Sequence, residues 1–219
     1  MIETGMEINY WRSMHNEIDE VLKNLEGIVL ILHSAMEFTQ CIDFFNKIKS
    51  NHFTNILYIS LTRSYNYMRH ALEQKPLDQK QIFFIDCVSG FAFPAEANID
   101  NCLYHKPPRD LLTMKEIIQF GIDKTNPDIV IIDSLSQLIN FSKPTEQELN
   151  GFYTFLGNMR QQMLNKVNNT FILLFDTKMG LLQHLPTQGI DTILKLEKNA
   201  PMINQPQEAF QKRLNFIRG

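Results

Sequence analysis

Asp133 and Ser134 close the most apolar run of the chain, Asp128-Ile-Val-Ile-Ile-Asp133. An acid beside a serine, with six histidines elsewhere, invites a Ser-His-Asp hydrolase, in which a histidine takes the proton of an attacking hydroxyl. No G-x-S-x-G elbow, the turn that exposes such a serine in α/β-hydrolases, supports that reading, and it is set aside. His33 ends a second apolar run and suggests a metal. With no second ligand in view, it reads instead as a hydrogen-bonded structural histidine. The three cysteines, Cys41, Cys87 and Cys102, are odd in number and form no C-x-x-C pair, so they suggest neither a disulfide framework nor a zinc knuckle.

The elements that must position these residues alternate regularly. Ile18, Val21, Leu22 and Leu25 recur at helical spacing and predict an amphipathic helix over 16–25, ended by Gly27. Ile28 to Leu32 is a continuous β-branched and leucine run, as expected of a strand buried on both faces. The same pattern predicts a helix over 38–49, a strand over 55–60, a helix over 65–74 and strands over 81–86, 128–133, 170–176 and 191–196. A closing strand is expected near 213–217. Thr113 with Glu116, and Thr145 with Glu148, have the S/T-x-x-E spacing of capping boxes at helix starts. The second box opens a long helix with an apolar stripe of Phe152, Phe155, Leu156, Met159, Met163 and Val167, with Arg160 and Lys166 near its C-terminal end. Residues 89–111, with Gly90, Pro94, Pro107 and Pro108, show no period and read as an irregular excursion. Strands joined by helices imply right-handed crossovers. The expected fold is one α/β domain over 1–219, a three-layer sandwich with a mostly parallel central sheet and a helical segment at 1–27.

In this order, several segments resemble landmarks of the RecA-like P-loop ATPases, in particular the KaiC-like branch. Ile18-Asp-Glu-Val-Leu22 is similar to the family's L-D-x-L-L motif. Residues 27–32 resemble the strand that leads into the phosphate loop. Tyr58-Ile-Ser-Leu-Thr62 resembles the second strand, usually Y-[VI]-S-x-E, and 128–135 resembles the Walker B strand ending in D-S-L. Arg213-Leu-Asn-Phe-Ile-Arg-Gly219 resembles a closing strand that ends near K-x-R-G. The resemblance spans nearly the whole chain and implies a RecA-like fold, ATP with magnesium as cofactor, and assembly into oligomers.

The departures fall on the chemistry. A phosphate loop needs glycines so that its amides can turn inward, a lysine for the β- and γ-phosphates, and a hydroxyl for magnesium. At that place the chain reads His33-Ser-Ala-Met-Glu-Phe-Thr-Gln40, without glycine or lysine, and Glu37 sets a negative charge near the phosphates. Thr39 is the one residue that could imitate the magnesium hydroxyl. Thr62 stands where the family carries the glutamate that activates water, and a threonine cannot act as that base. Asn24-Leu25-Glu26 replaces the usual glycine pair.

What the resemblance leaves is a candidate nucleotide site of Thr39, Asp133, Ser134 and Arg218. Asp133 would bind magnesium through water, and Arg218 would reach a nucleotide on an adjacent subunit. Their plainer readings are an inherited acid bonded to a helix terminus and a solvated terminal arginine. Phosphoryl transfer depends on positioning and charge neutralisation, so losing lysine, glycines and base together removes most of the catalysis. The residues alone therefore assign no catalytic group and no certain cofactor. They favour a catalytically degenerate, non-hydrolysing binding or regulatory module that pairs with itself or with an active paralogue. An ATP-binding protein or slow ATPase with an unconventional loop is the first alternative, and an accessory protein of DNA recombination or repair the second.

Composition narrows the partners. The 219 residues are 44% hydrophobic with a formal net charge of −3, enough apolar content for a sizeable core and no overall cation excess for nucleic acid or an anionic membrane. In DNA-handling relatives, the loops after the Walker B strand and the next strand contact single strands. Here these loops, 138–144 and 177–188, offer one lysine each, Lys143 and Lys178. The ten methionines read mainly as core filling. No apolar run approaches the roughly 20 residues of a spanning helix, and the N-terminus lacks a signal-peptide layout. With unpaired cysteines, this predicts a cytoplasmic protein without a membrane.

Overall fold

The computed structural model of the chain describes residues 26–33, 55–73, 81–91, 101–163, 169–179 and 185–196. They form β1 (Gly27–His33), β2 (Ile56–Ser60), α1 (Tyr65–Glu73), β3 (Ile82–Asp86), β4 (Cys102–Tyr104), α2 (Leu111–Thr125), β5 (Ile129–Asp133), α3 (Leu135–Ser142), α4 (Glu146–Gln162), β6 (Thr170–Asp176) and β7 (Thr192–Leu196). The seven strands make one sheet in the order β4-β3-β2-β5-β6-β1-β7. Every pairing in it is parallel, which sharpens the expected mostly parallel sheet.

Parallel strands joined by crossovers carry helices on both faces, which explains their nearly unbroken apolar runs. Alternate residues of each strand feed two cores. Val29, Tyr58, Phe84, Ile131 and Ile172 pack on one face with Tyr65, Met68 and Leu72 of α1. Leu30, Leu57, Ile85, Ile132 and Leu173 pack on the other with α2, α3 and α4. Gly121 lets α2 lie close to the sheet, since a Cβ there would stand 2.6 Å from Leu57 Cδ2. Gly27 opens β1 at φ 86°, a left-handed geometry that favours glycine, and a Cβ would lie 2.1 Å from Asp191 Oδ2. That carboxylate accepts the Ile28 amide at 2.7 Å and so fixes the start of β1 beside β7.

Several expectations are corrected in detail. The excursion over 89–111 contains a short helical turn, Ser89–Phe91, and the edge strand β4, whose three residues are too few to show a period. The helix assigned to a Thr113–Glu116 capping box begins earlier: Asp110 is the N-cap, and its Oδ1 accepts the Thr113 amide at 2.7 Å. Part of the loop expected after β5 is the helix α3. The Thr145–Glu148 capping box forms as expected, and Phe152, Leu156 and Met159 of α4 are buried. Helices α2 and α3 end at Asn126 and Lys143, both left-handed, whose amides donate to Ile122 O and Ile139 O. The helices expected over 16–25 and 38–49, the closing strand over 213–217, and Val167 and Lys166 lie outside the described residues. Among the described residues no helix is long and apolar enough to cross a membrane.

Candidate functional site

In an open parallel sheet, ligands settle beyond the carboxyl ends of the strands, at the point where neighbouring strands send their connections in opposite directions. Here that point lies between β2 and β5. The chain leaves β2 through α1 on one face toward β3, and leaves β5 through α3 and α4 on the other face toward β6. The register places Ser60 opposite Asp133 on one side and Asp86 on the other, while His33 pairs with Asp176 further along the same edge. A row of polar residues therefore lines the carboxyl ends of an otherwise apolar sheet.

Asp133 is buried, and donors from the β2 side hold its carboxylate. Tyr58 Oη donates to Oδ2 at 2.5 Å and Thr62 Oγ1 to Oδ1 at 3.0 Å, while the Arg63 guanidinium forms an ion pair with Oδ2. The chain itself also closes across the crevice, since the Leu61 amide donates to Asp133 O at 2.5 Å. Ser60 shapes the turn that brings these groups in: its hydroxyl donates to Arg63 O at 2.7 Å and accepts the Arg63 amide at 3.0 Å. The plainer sequence reading had Asp133 bonded to a helix terminus. Its partners are instead two side chains of the turn after β2 and one of β2 itself.

Ser134, a candidate nucleotide contact, is the N-cap of α3. Its hydroxyl accepts the Gln137 amide at 3.3 Å and shares a 2.9 Å hydrogen bond with the Ser136 hydroxyl. Ser136 Oγ in turn accepts the Asp176 amide at 3.2 Å, which ties α3 to β6. The Asp133–Ser134 peptide bond is cis. The structure thus brings Asp133 and Ser134 to one crevice. Thr39 and Arg218, the other two candidates, and Glu37 lie outside the described residues.

The remaining acids of this edge serve the backbone. Asp86, fully buried, accepts the Tyr65 amide at 2.7 Å with Oδ2 and the Val88 and Ser89 amides at 2.8 Å with Oδ1, so it caps α1 and the turn after β3. Asp176 Oδ1 accepts the Lys178 amide at 2.9 Å. Burial lowers the pKa of the His33 imidazole below its ordinary 6.5. The negative charges of Asp176 and Asp133 oppose the shift, and the Arg63 cation adds to it. Lys143 and Lys178 are exposed, and their loops meet where Asn140 Nδ2 donates to Met179 O at 3.0 Å.

A magnesium ion, the metal that the RecA resemblance implies, does not fit the donor set on Asp133. A carboxylate has about four lone-pair sites, and three of them here accept Tyr58, Thr62 and Arg63. A dication about 5 Å from a guanidinium would be repelled by about 7 kcal/mol at an effective dielectric constant of about 20. Among the described residues there is no cluster of three side chains of metal-binding type. Sequence reasoning missed Tyr58 and Arg63 as partners of Asp133. No local pattern signals them, since only the pairing of β2 with β5 brings them to the acid.

No protein-family model matches the chain, and no curated protein matches its sequence. Solved structures do. A KaiC-like protein from Pyrococcus horikoshii OT3 superposes with a TM-score of 0.54 at 12% identity, over 82% of this chain and 75% of that one. The flagellar accessory protein FlaH from Methanocaldococcus jannaschii superposes with a TM-score of 0.53 at 13% identity, over 82% of this chain and 76% of that one. At such low identity the likeness concerns architecture, an all-parallel central sheet flanked by helices. The chain therefore shares the RecA-like α/β fold of these structures.

Proposed function

We propose that this chain is a catalytically degenerate RecA/KaiC-like module that binds or regulates without hydrolysing nucleotide, through self-association or pairing with an active ATPase of the same fold. The observation that carries the reading is the state of Asp133. Asp133, the acid that resembles Walker B, is bonded to Tyr58, Thr62 and Arg63, and by the same sequence resemblance Thr62 stands in place of the water-activating glutamate. The absence of glycine and lysine from residues 33–40 supports the same conclusion from the phosphate side. Purified protein incubated with ATP and magnesium should turn over no faster than its Asp133→Ala variant, and a rate that depends on Asp133 would refute the reading. Calorimetry with Mg-ATP and Mg-ADP separates a nucleotide sensor from a pure scaffold: saturation at 100 times the dissociation constant stabilises the fold by about 2.7 kcal/mol.

The joined loops after β5 and β6 favour a second reading, contact with single-stranded nucleic acid. Phe141 and Met179 are 48% and 44% exposed, near in sequence to the exposed Lys143 and Lys178, and together they offer one aromatic ring for stacking, an apolar neighbour and two cations. This reading predicts salt-sensitive binding of a labelled single-stranded oligonucleotide, weakened by Phe141→Ala and by Lys143→Ala with Lys178→Ala. No binding at low salt would dispose of it.

A further inference from the structure

We infer that Arg63 is the resident counter-ion of the crevice between β2 and β5, a cation supplied by the chain that makes the centre independent of divalent metal. The inference deepens the non-hydrolysing reading and rests on it, since both treat Asp133 as an acid withdrawn from phosphoryl transfer.

Three observations converge. The ion pair is sheltered, with the Asp133 and Arg63 side chains 2% and 17% exposed, so its partners are held in place rather than exchanged with water. The four residues from Ser60 to Arg63 are all committed to the arrangement: Ser60 Oγ is bonded to both backbone polar groups of Arg63, the Leu61 amide donates to Asp133 O, and Thr62 donates to Asp133 Oδ1. The neighbouring acids already serve the backbone, because Asp86 accepts three amides and Asp176 Oδ1 accepts another. A buried carboxylate must be compensated by hydrogen-bond donors or by a positive charge. A guanidinium provides one that is permanent, forked and pre-organised, whereas a metal must be recruited from solution and shed its water. With Arg63 seated on Oδ2, a dication meets a cation already in its place.

The test is a manganese titration of the full chain at pH 8, read by the loss of the free-ion paramagnetic resonance signal and by calorimetry. The unaltered protein should show no saturable site that Asp133→Asn removes. Arg63→Gln, which keeps donors and removes the charge, should gain one saturable manganese site, and adding Asp133→Asn in that background should abolish it. Arg63→Lys, which restores a cation, should behave like the unaltered chain. Circular dichroism checks that each variant is folded. An Asp133-dependent manganese site in the unaltered protein would overturn the inference whether or not Arg63→Gln folds. A folded Arg63→Gln variant that gains no Asp133-dependent site would also overturn it. Hydrolysis assays test the proposed function separately: manganese at Asp133 without turnover would refute only the role of Arg63.

Discussion

The hydroxyl of Ser60 binds Arg63 twice, donating to its carbonyl at 2.7 Å and accepting from its amide at 3.0 Å. This small ring fixes the backbone from which Arg63 reaches Asp133. Ser60→Ala removes both bonds and leaves a partly buried amide without its acceptor, so it should cost about 1–2 kcal/mol in denaturant unfolding. Because Ser60 acts through Arg63, the double variant Ser60→Ala/Arg63→Gln should cost less than the sum of the two, with a coupling of about 1 kcal/mol. Strict additivity would mean that the turn does not position the guanidinium.

Tyr153 is 1% exposed, and its hydroxyl is buried without a hydrogen-bond partner. An orphaned hydroxyl costs about 1–3 kcal/mol of desolvation, while the ring meets Phe152 at a centroid distance of 6.3 Å within the core. Tyr153→Phe should therefore raise stability by about 1 kcal/mol, seen as a higher melting temperature. A lower one would show that the hydroxyl is satisfied.

At Gly27 a methyl group meets both a left-handed φ of 86° and the Asp191 carboxylate. Gly27→Ala should lose about 3 kcal/mol from these combined costs. Asp191→Ala removes the carboxylate, leaving only its Cβ at 3.0 Å, but not the strain, so in that background Gly27→Ala should cost about 1–2 kcal/mol. Chemical denaturation of the four proteins of this cycle checks both numbers.

Burial holds the pKa of His33 below 6.5, so the unfolded chain takes up the proton first as the pH falls. Its contribution to stability is complete above about pH 6.5 and is lost as the pH drops through the folded value. The melting temperature of His33→Gln relative to the unaltered protein should accordingly rise between pH 8 and pH 5. A difference that stays constant with pH would rule out this histidine as a source of acid sensitivity.

The strands were legible because burial on both faces imposes continuous apolar runs, as Thr170 to Asp176 and Ile129 to Asp133 illustrate. What escaped was short or non-local. β4 has three residues, Cys102 to Tyr104, set among prolines that mask any alternation. α3 carried a sequence signal, the S-x-x-Q spacing of Ser134 and Gln137. Only half of that box forms, because Gln137 Oε1 is buried without a partner. Asp133 was visible as the acid ending an apolar strand. Arg63, 70 positions earlier, becomes its partner only through the parallel register of β2 on β5, which pattern and composition do not encode.

The position of β1 has a consequence for biosynthesis. Its neighbours in the sheet are β6 and β7, and the bond from the Ile28 amide to Asp191 spans 163 residues. At about 5–20 residues per second, a ribosome exposes the sticky edges of this nascent strand on the order of ten seconds before its neighbours emerge. The first of the described strands to emerge is thus among the last to be sealed, and its apolar run waits unpaired through most of the synthesis of the sheet.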